Sequence, residues 1–298
     1  MLKKNMNLFI GGMFLALLVI TAIIGPHLTY VKEGIEPGRL IFLEGGGLLR
    51  APFEPSRDFP LGSDHEGRNL LSLILMGTRD TLLLILLITS IRYAVGVILG
   101  TIASFRGRVV SNVLNVWDQI FSSMPIIFVA ILFLTLPMFI FTEHRFWIAV
   151  ISIALVEVGR VGVTVRDQLV HVKKQPYVEA GRMVGMSPFA LAIHHYWPNV
   201  LPNMLVNFCF DIGRVTLIIG QLGIFSVFIT QEFIMMNTGF GQLVNTSYNW
   251  STILGEARKD IYTAVWIPAA AATAIMFVIL TFNILGEGLR KHFNRLGT

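Results

Sequence analysis

Five charged residues interrupt stretches of the chain that are otherwise apolar, and their chemistry needs explanation first. They are Arg92, Glu157, Arg160, Asp211 and Arg214. A charge in the middle of a membrane costs several kcal/mol unless it is paired or hydrated. Glu157 precedes Arg160, and Asp211 precedes Arg214, by three residues, so each pair lies on one helix face and can form a local ion pair. Arg92 has no such neighbour, so it requires a partner from another helix or from water.

The other reactive residue types form no catalytic or metal-binding pattern. Cys209 is the only cysteine, which excludes an intrachain disulfide and a cysteine zinc cluster. His171, His194 and His195 lack the spacing of a metal cage. The sequence also lacks the GxxxxGK[ST] pattern of a nucleotide-binding P-loop. We therefore expect no catalytic residue, no metal and no cofactor on this chain, and no ATP hydrolysis by it.

The composition is that of an integral membrane protein. Of the 298 residues, 54% are hydrophobic and only 14% are charged, whereas a soluble domain carries about a quarter charged residues. The mean hydropathy is +0.69. The net charge of +5 comes from basic residues scattered among apolar segments, which indicates membrane topology and argues against nucleic-acid binding.

The apolar runs predict an all-α fold with six membrane spans. We place them at 8–25, 81–105, from Pro125 to about 141, about 146–165, about 204–229 and about 263–285. The first run follows Lys3 and Lys4, and Gly25-Pro26-His27 is a poor cleavage site, so we expect an uncleaved signal anchor. Residues 1–60 would then be this anchor and a glycine- and proline-rich outer loop, including Gly45-Gly46-Gly47, with little regular structure. Residues 61–298 would form the core domain of five spans.

Residues 173–202 form the longest polar interruption in the chain that contains clear helix start and stop signals. Pro176 suits the first turn of a helix, where Glu179 also complements the positive helix end. Gly185 should end that helix. Ser187-Pro188 should begin a second one, with serine as the N-cap, and Trp197-Pro198 should end it. The sequence therefore predicts two short helices joined by a turn.

This stretch resembles the EAA loop of bacterial ABC-importer permeases. The matching residues are Glu179-Ala180-Gly181, Gly185, His195 and Pro198-Asn199. Gly181 stands where the family usually has a second alanine, and Trp197 where it usually has leucine. In that family the loop docks on a cytoplasmic ATPase subunit. The residues to which the resemblance assigns docking are Tyr177, Glu179, Ala180, Gly181, Gly185, Met186, Ser187 and Pro188.

Other segments resemble the oligopeptide, dipeptide and nickel branch of these permeases. They are Leu61 to Ser72, Trp250-Ser251, Leu254 to Arg258 and Thr281 to Arg290. The first is similar to the family's LGTDxxGRDxLSR signature; we expect Ser63 or Asp64 to cap a helix that runs to about Gly77, with Asp64, Glu66 and Arg68 in local ion pairs. The resemblance covers most of 61–294 and is weakest at 206–249. It implies a type I importer permease whose cargo is a peptide, with nickel or a metal chelate as the alternative.

The resemblance also implies partners and an orientation. The partners would be a homologous second permease, two cytoplasmic ATP-binding subunits that carry ATP and Mg, and an extracytoplasmic substrate-binding protein or lipoprotein. Basic residues concentrate in the segments assigned to the cytoplasm, while the short outer turn at 142–145 holds only Arg145. Both termini and the EAA loop would therefore be cytoplasmic, in a multi-pass protein of the cell membrane.

Within this frame, the five intramembrane charges have two interpretations. They could line the translocation path and contact a zwitterionic substrate, or they could be structural pairs that fix helix packing. Two other classes of protein also stay open. One is a stand-alone carrier or channel, although we find no internal repeat of the kind such carriers often have. The other is a membrane scaffold or regulator that has lost transport.

Overall fold

The computed structural model describes residues 5–42, 48–142, 144–235 and 241–296. Lys3, Lys4, Gly45-Gly46-Gly47 and Glu143 lie outside the described residues. The elements before the core are α1 (Met6–Ile24), a 3-10 turn (Gly25–His27), α2 (Thr29–Gly34) and the antiparallel strands β1 (Leu40–Phe42) and β2 (Leu48–Arg50). The polar outer loop therefore contains short regular elements, whereas the sequence predicts little regular structure there.

The core consists of helices, with one further hairpin. Its first half is α3 (Leu70–Arg106), α4 (Arg108–Ser122), α5 (Ile126–Leu134), α6 (Pro137–Ile140), α7 (Arg145–Val156) and α8 (Val158–Lys173). Its second half is α9 (Pro176–Met183), α10 (Pro188–Leu191), a π-helical turn (Ala192–Tyr196), α11 (Trp197–Ile224), β3 (Gln231–Met235), β4 (Gly241–Asn245), α12 (Trp250–Ile253), α13 (Ala257–Thr263) and α14 (Trp266–Leu296). The predicted all-α class is confirmed.

Among the described residues, four helical segments are long and apolar enough to cross a membrane. They cover Met6–His27, Leu70–Phe105, Pro188–Ile224 and Trp266–Asn294. Two further pairs qualify only together: α4 with α5, which meet at 92°, and α7 with α8, which meet at 42°. The predicted count of six is reached when each bent pair is taken as one span.

The predicted cap at Ser63 or Asp64 is wrong, and so is the predicted helix end near Gly77. Asn69 is the N-cap, since its side chain accepts a bond from the Leu71 amide at 3.0 Å, and α3 continues for 37 residues. Ser63 Oγ instead accepts from the Phe53 amide at 2.7 Å. Asp64 accepts from the Glu66 and Arg68 amides and pairs with the Arg68 guanidinium at 2.7 Å, so this segment forms a tight loop.

Gly77 lies inside α3 because another part of the chain approaches it closely. A Cβ at this position would be 2.1 Å from the carbonyl oxygen of Tyr248. The segment that contains Tyr248 is held on α3 by Asp80, which accepts from the Ser247 hydroxyl at 2.7 Å and the Tyr248 amide at 3.2 Å. The glycine therefore allows close packing and does not terminate the helix.

The predicted helix end at Trp197-Pro198 is also wrong. The π-helical turn joins α10 to α11, and the Trp197 amide donates to Ala192 O, which is a spacing of five residues. Pro198 then occupies the first turn of α11, where a missing N–H is tolerated. The helix that contains the predicted fifth span therefore begins before Met204, at Trp197.

The main apolar core is built from α1, α3, α5, α7, α11, α12, α13 and α14. Helix α1 packs against α14 at two glycines: a Cβ at Gly11 would be 2.8 Å from Leu285 Cα, and one at Gly288 would be 2.6 Å from the Leu8 amide. Helix α3 spans about 55 Å. The residues before it meet α13 at one end of the molecule, and its other end contacts the segment that precedes α9.

Candidate docking loop and buried charge cluster

The predicted start of the docking loop is confirmed in its local structure. Gln175 has an extended conformation, with φ −78° and ψ 142°, and Pro176 is in the first turn of α9. Glu179 also lies in this first turn and is exposed. A carboxylate here faces the positive end of the helix macrodipole.

The turn that follows α9 is a Schellman motif centred on Gly185. This glycine has φ +86°, a left-handed conformation that glycine adopts without steric cost. The Gly185 amide donates to Arg182 O and the Met186 amide to Gly181 O, both at 3.0 Å, the two bonds that define the motif. Ser187 then caps α10, since its hydroxyl accepts from the Ala190 amide at 3.2 Å. The predicted helix–turn–helix is therefore confirmed up to this point.

One face of the loop is packed against α8 and α11. Val178, Leu191 and Tyr196 are buried in a cluster that also contains Val165 and Val200. Gly181 is buried in the same region. A Cβ there would be 3.0 Å from Leu191 Cδ2 and 3.1 Å from Met186 Sδ, tighter than ordinary van der Waals contact. An alanine at position 181 would require the Leu191 and Met186 side chains to move by a few tenths of an ångström.

The opposite face of the loop presents apolar side chains to the surroundings. Met183 is 87% exposed, Val184 85% and Phe189 75%. Of the residues assigned to docking, Gly181 is buried and Met186 is half-buried, while the others are exposed: Tyr177, Glu179, Ala180, Gly185, Ser187 and Pro188. Met183, Val184 and Phe189 were not among the docking residues predicted from the sequence. The sequence feature that could have identified them is that they are large and apolar but lie beside a turn in a polar segment.

The segment that leads into the loop is fixed to the end of α3. The Lys173 ammonium donates to Ser104 O at 2.6 Å and lies 3.3 Å from the centre of the Phe105 ring, a cation–π contact. Phe105 also packs against Tyr196, with ring centroids 5.8 Å apart. The loop is therefore held by polar and aromatic contacts as well as by its apolar face.

The five intramembrane charges form one cluster about one helix length from the loop. Glu157 and Lys173 stand at the two ends of α8, which has 16 residues and so spans about 24 Å. Arg92 from α3 is fully buried. Its Nη1 donates to Glu157 Oε2 at 2.5 Å and to Asp211 Oδ2 at 2.9 Å. Arg92 therefore has two partners from outside its own helix, Glu157 and Asp211, as its position in an apolar segment required.

Arg92 also occupies the point where α7 ends and α8 begins. Glu157 lies between the two helices, with φ −102° and ψ 10°. Such a break leaves the last carbonyls of α7 without their usual helical donors. Arg92 Nη2 donates to Ile153 O at 3.1 Å and its Nε to Ala154 O at 3.4 Å. One guanidinium therefore caps a helix C-terminus and neutralises two carboxylates.

Arg160 forms the second bridge between the carboxylates. Its Nη2 is 2.9 Å from Glu157 Oε1 and 2.5 Å from Asp211 Oδ1. Arg214 is 54% exposed, and its Nη1 is 3.8 Å from Asp211 Oδ1. The predicted pair of Glu157 with Arg160 is therefore close, at 2.9 Å, whereas the predicted pair of Asp211 with Arg214 is long, at 3.8 Å. The short contacts of Asp211 are with Arg92 and Arg160, which belong to other helices.

The cluster carries three positive and two negative charges, and two of its arginines reach a cavity. This cavity has a volume of about 230 Å³, and Arg160 and Arg214 line it together with Tyr93, Thr164, Asn207 and Phe210. Because both carboxylates are already bridged by Arg92 and Arg160, the excess positive charge is on the cavity side. Such a surface can attract an anionic group.

Comparison with known proteins agrees with this architecture. The family described as binding-protein-dependent transport system inner membrane component matches residues 94–296, about two thirds of the chain. A dipeptide transport system permease of Alkalihalophilus pseudofirmus is 26% identical over 289 residues, which cover 97% of this chain and 86% of the relative. An oligopeptide transport system permease of Bacillus subtilis is 24% identical over 291 residues, which cover 97% and 85%.

The extent of the family match, the apolar helices and the packed polar loop together identify the chain as a multi-pass membrane permease. It belongs to the family of inner membrane components of binding-protein-dependent transport systems.

Proposed function

We propose that this chain is a translocating subunit of an ABC importer for dipeptides or oligopeptides. The observation that carries the proposal is the docking loop, where Met183, Val184 and Phe189 form an exposed apolar face on a packed support. Exposed apolar patches mark protein–protein or membrane interaction sites, and the position of this one within a polar loop favours a protein partner. The proposed partners at this face are the two cytoplasmic ATP-binding subunits, which would hold the ATP and Mg.

The relatives support a peptide as the cargo. Permeases of dipeptide, oligopeptide and glutathione transport systems are similar to this chain over 79% to 97% of its length. The further proposed partners are a homologous second permease and an extracytoplasmic substrate-binding protein. A cavity lined by Arg160 and Arg214 suits the carboxylate of a peptide, which supports a position for the cluster on the translocation path. Nickel or a metal chelate is the alternative cargo.

The proposed mechanism is ATP-driven alternating access. Closure of the ATP-binding subunits would displace α9, which is packed on α8 through Val178. Helix α8 would convey this movement to Glu157 at its other end, where the 42° bend and the ion pairs of Arg92 connect three helices. The coupling loop and both termini would be cytoplasmic, and residues 1–60 would be the signal anchor and outer loop.

The experiment is reconstitution of the complete complex in proteoliposomes with its substrate-binding protein. We expect ATP-dependent uptake of a labelled dipeptide or oligopeptide. Glu179→Arg should abolish uptake and release the ATP-binding subunits, because it reverses a charge on the docking face. The control Glu54→Arg makes the same change on an exposed residue of the segment assigned outside, and should retain these subunits.

Two outcomes would overturn separate parts of this proposal. Normal assembly and normal uptake by the Glu179→Arg complex would show that the docking assignment is wrong. Uptake of nickel or a metal chelate, with no peptide uptake, would replace the cargo but leave the docking assignment intact.

A further inference from the structure

Three side chains that are distant in sequence converge at the end of the molecule opposite the docking loop. His65 comes from the tight loop before α3, and Glu256 and Asp260 lie one helical turn apart at α13. Their ligand atoms all lie within 4.8 Å of one another. His65 Nε2 is 2.7 Å from Asp260 Oδ1 and 3.8 Å from Glu256 Oε2.

These separations are close to those of a metal centre. Zinc binds imidazole nitrogen and carboxylate oxygen at about 2.0–2.2 Å in tetrahedral geometry, which places neighbouring ligand atoms ~3.3 Å apart. The distance from His65 Nε2 to Asp260 Oδ1 is shorter than this value, and the distance to Glu256 Oε2 is longer. Small side-chain rotations would therefore bring the three ligand atoms to the separations of a metal site. One imidazole and two carboxylates form a donor set that suits a divalent transition-metal ion.

A second and independent feature is the burial of the Asp260 carboxylate. Asp260 is only 1% exposed, and its Oδ2 has no hydrogen-bond partner among the described residues. A buried carboxylate oxygen is costly unless it is paired or coordinates a metal. The other oxygen, Oδ1, contacts His65. The oxygen without a partner therefore belongs to one of the three side chains of the cluster.

The surroundings of the cluster are also acidic. It lines a cavity of about 550 Å³ that contains Asp64, Glu66 and Arg68 as well. Arg68 is already paired, at 2.7 Å with Asp64 and 3.2 Å with Glu66. Lys259 is 3.3 Å from Glu256, but both side chains of this pair are mostly exposed, and such pairs contribute little. Arg39 is 3.8 Å from Glu66, again with both side chains largely exposed. The four carboxylates outnumber these three basic side chains, which leaves one negative charge for an added cation.

We propose that His65, Glu256 and Asp260 bind a divalent transition-metal ion, with zinc as the probe ion. Three protein ligands leave a fourth position for water. The bound ion would tie the loop before α3 to the segment before α14, and would fix the end of the molecule at which the β3–β4 hairpin lies. This site is independent of the docking loop and of the cargo proposed above.

The test is zinc binding to the purified full-length chain, with an affinity tag that contains no histidine or cysteine. After removal of metal by a chelator, zinc is titrated by calorimetry and the bound metal is counted by mass spectrometry. We expect one site that Glu256→Gln, His65→Gln and Asp260→Asn each weaken at least tenfold. Glu256 is 58% exposed, so its variant should fold normally, as circular dichroism would check.

His144→Gln is the matched control, since His144 is exposed and lies outside the cluster; it should leave zinc binding unchanged. At equal zinc concentration, zinc should also raise the melting temperature of the wild type and of this control by more than that of the three cluster variants. Equal zinc binding by the wild type and all three cluster variants would overturn the proposal, and so would a wild type that binds no zinc. The latter result would leave the cluster as a hydrogen-bonded contact between His65 and Asp260.

Discussion

Replacement of Arg92 by methionine removes the guanidinium that connects α3, α7 and α11. Four hydrogen bonds are lost, two to carboxylates and two to the carbonyls of Ile153 and Ala154. Arg160 still contacts Glu157 and Asp211, but it is then the only arginine of the described part of the chain within 3 Å of either. Removal of one partner from a buried ion pair typically costs about 3–5 kcal/mol, because a buried charge stays uncompensated.

A loss of this size corresponds to a change of at least about 100-fold in the unfolding equilibrium. The measurement is reversible unfolding in mixed micelles with increasing denaturing detergent, followed by helical circular dichroism. Arg214→Met is the matched control from the same cluster. Because Arg214 is 54% exposed and 3.8 Å from Asp211, its loss should cost only about 0–1 kcal/mol.

A double variant separates the charge effect from the loss of packing. Arg92→Met combined with Glu157→Gln removes one charge of each sign, so its destabilisation should be smaller than the sum of the single effects by about 0.5–3 kcal/mol. The reasoning fails if Arg92→Met is no more destabilising than Arg214→Met. It also fails if the double variant loses the full sum, since the two groups would then act independently.

Two glycines allow further tests of the packing. Gly77→Ala should destabilise the fold by about 1–3 kcal/mol, because overpacking against Tyr248 O exceeds the ~1 kcal/mol that alanine gains in a helix. Gly12→Ala, with open space around its Cβ, should be neutral or stabilising in the same unfolding assay; a cost equal to that of Gly77→Ala would contradict the close contact. Gly185→Ala should weaken the docking loop by about 1–2 kcal/mol, because φ is +86°. Hydrogen exchange at the Met186 amide measures this change. Gly185→Asn should increase the exchange rate less than Gly185→Ala does, because asparagine tolerates a left-handed conformation better. Equal exchange in both variants and the wild type would contradict the left-handed turn.

Features that depend on local chemistry could be predicted from the sequence. Pro176, Gly185 and Ser187 act within one or two turns of their own positions, so their roles in starting, ending and capping helices were correct. Trp197-Pro198 was misinterpreted because a proline suits the first turn of a helix as well as the position after a helix end. Only the π-helical turn before it decides between these two roles.

For features that depend on tertiary contacts, the sequence predicts at most that a residue needs a partner, and not which residue that partner is. The sequence showed that Arg92 needs a partner, but the identity of Glu157 and Asp211 depends on the packing of α3, α8 and α11. The convergence of His65 and Asp260 joins residues from opposite halves of the chain and left no signal in local spacing. Gly77 was predicted to end a helix because the approach of Tyr248 cannot be read from neighbouring residues.

The most direct test of the central proposal is site-specific photo-crosslinking in the assembled complex. A photoreactive amino acid at Val184, which is 85% exposed on the docking loop, is compared with the same group at Tyr262, which is 89% exposed on α13. Mass spectrometry identifies the captured proteins. The account predicts that an ATP-binding subunit is captured from position 184 and not from position 262. Capture of that subunit from position 262, or its absence from position 184 in a complex that retains it, would contradict the proposed docking face.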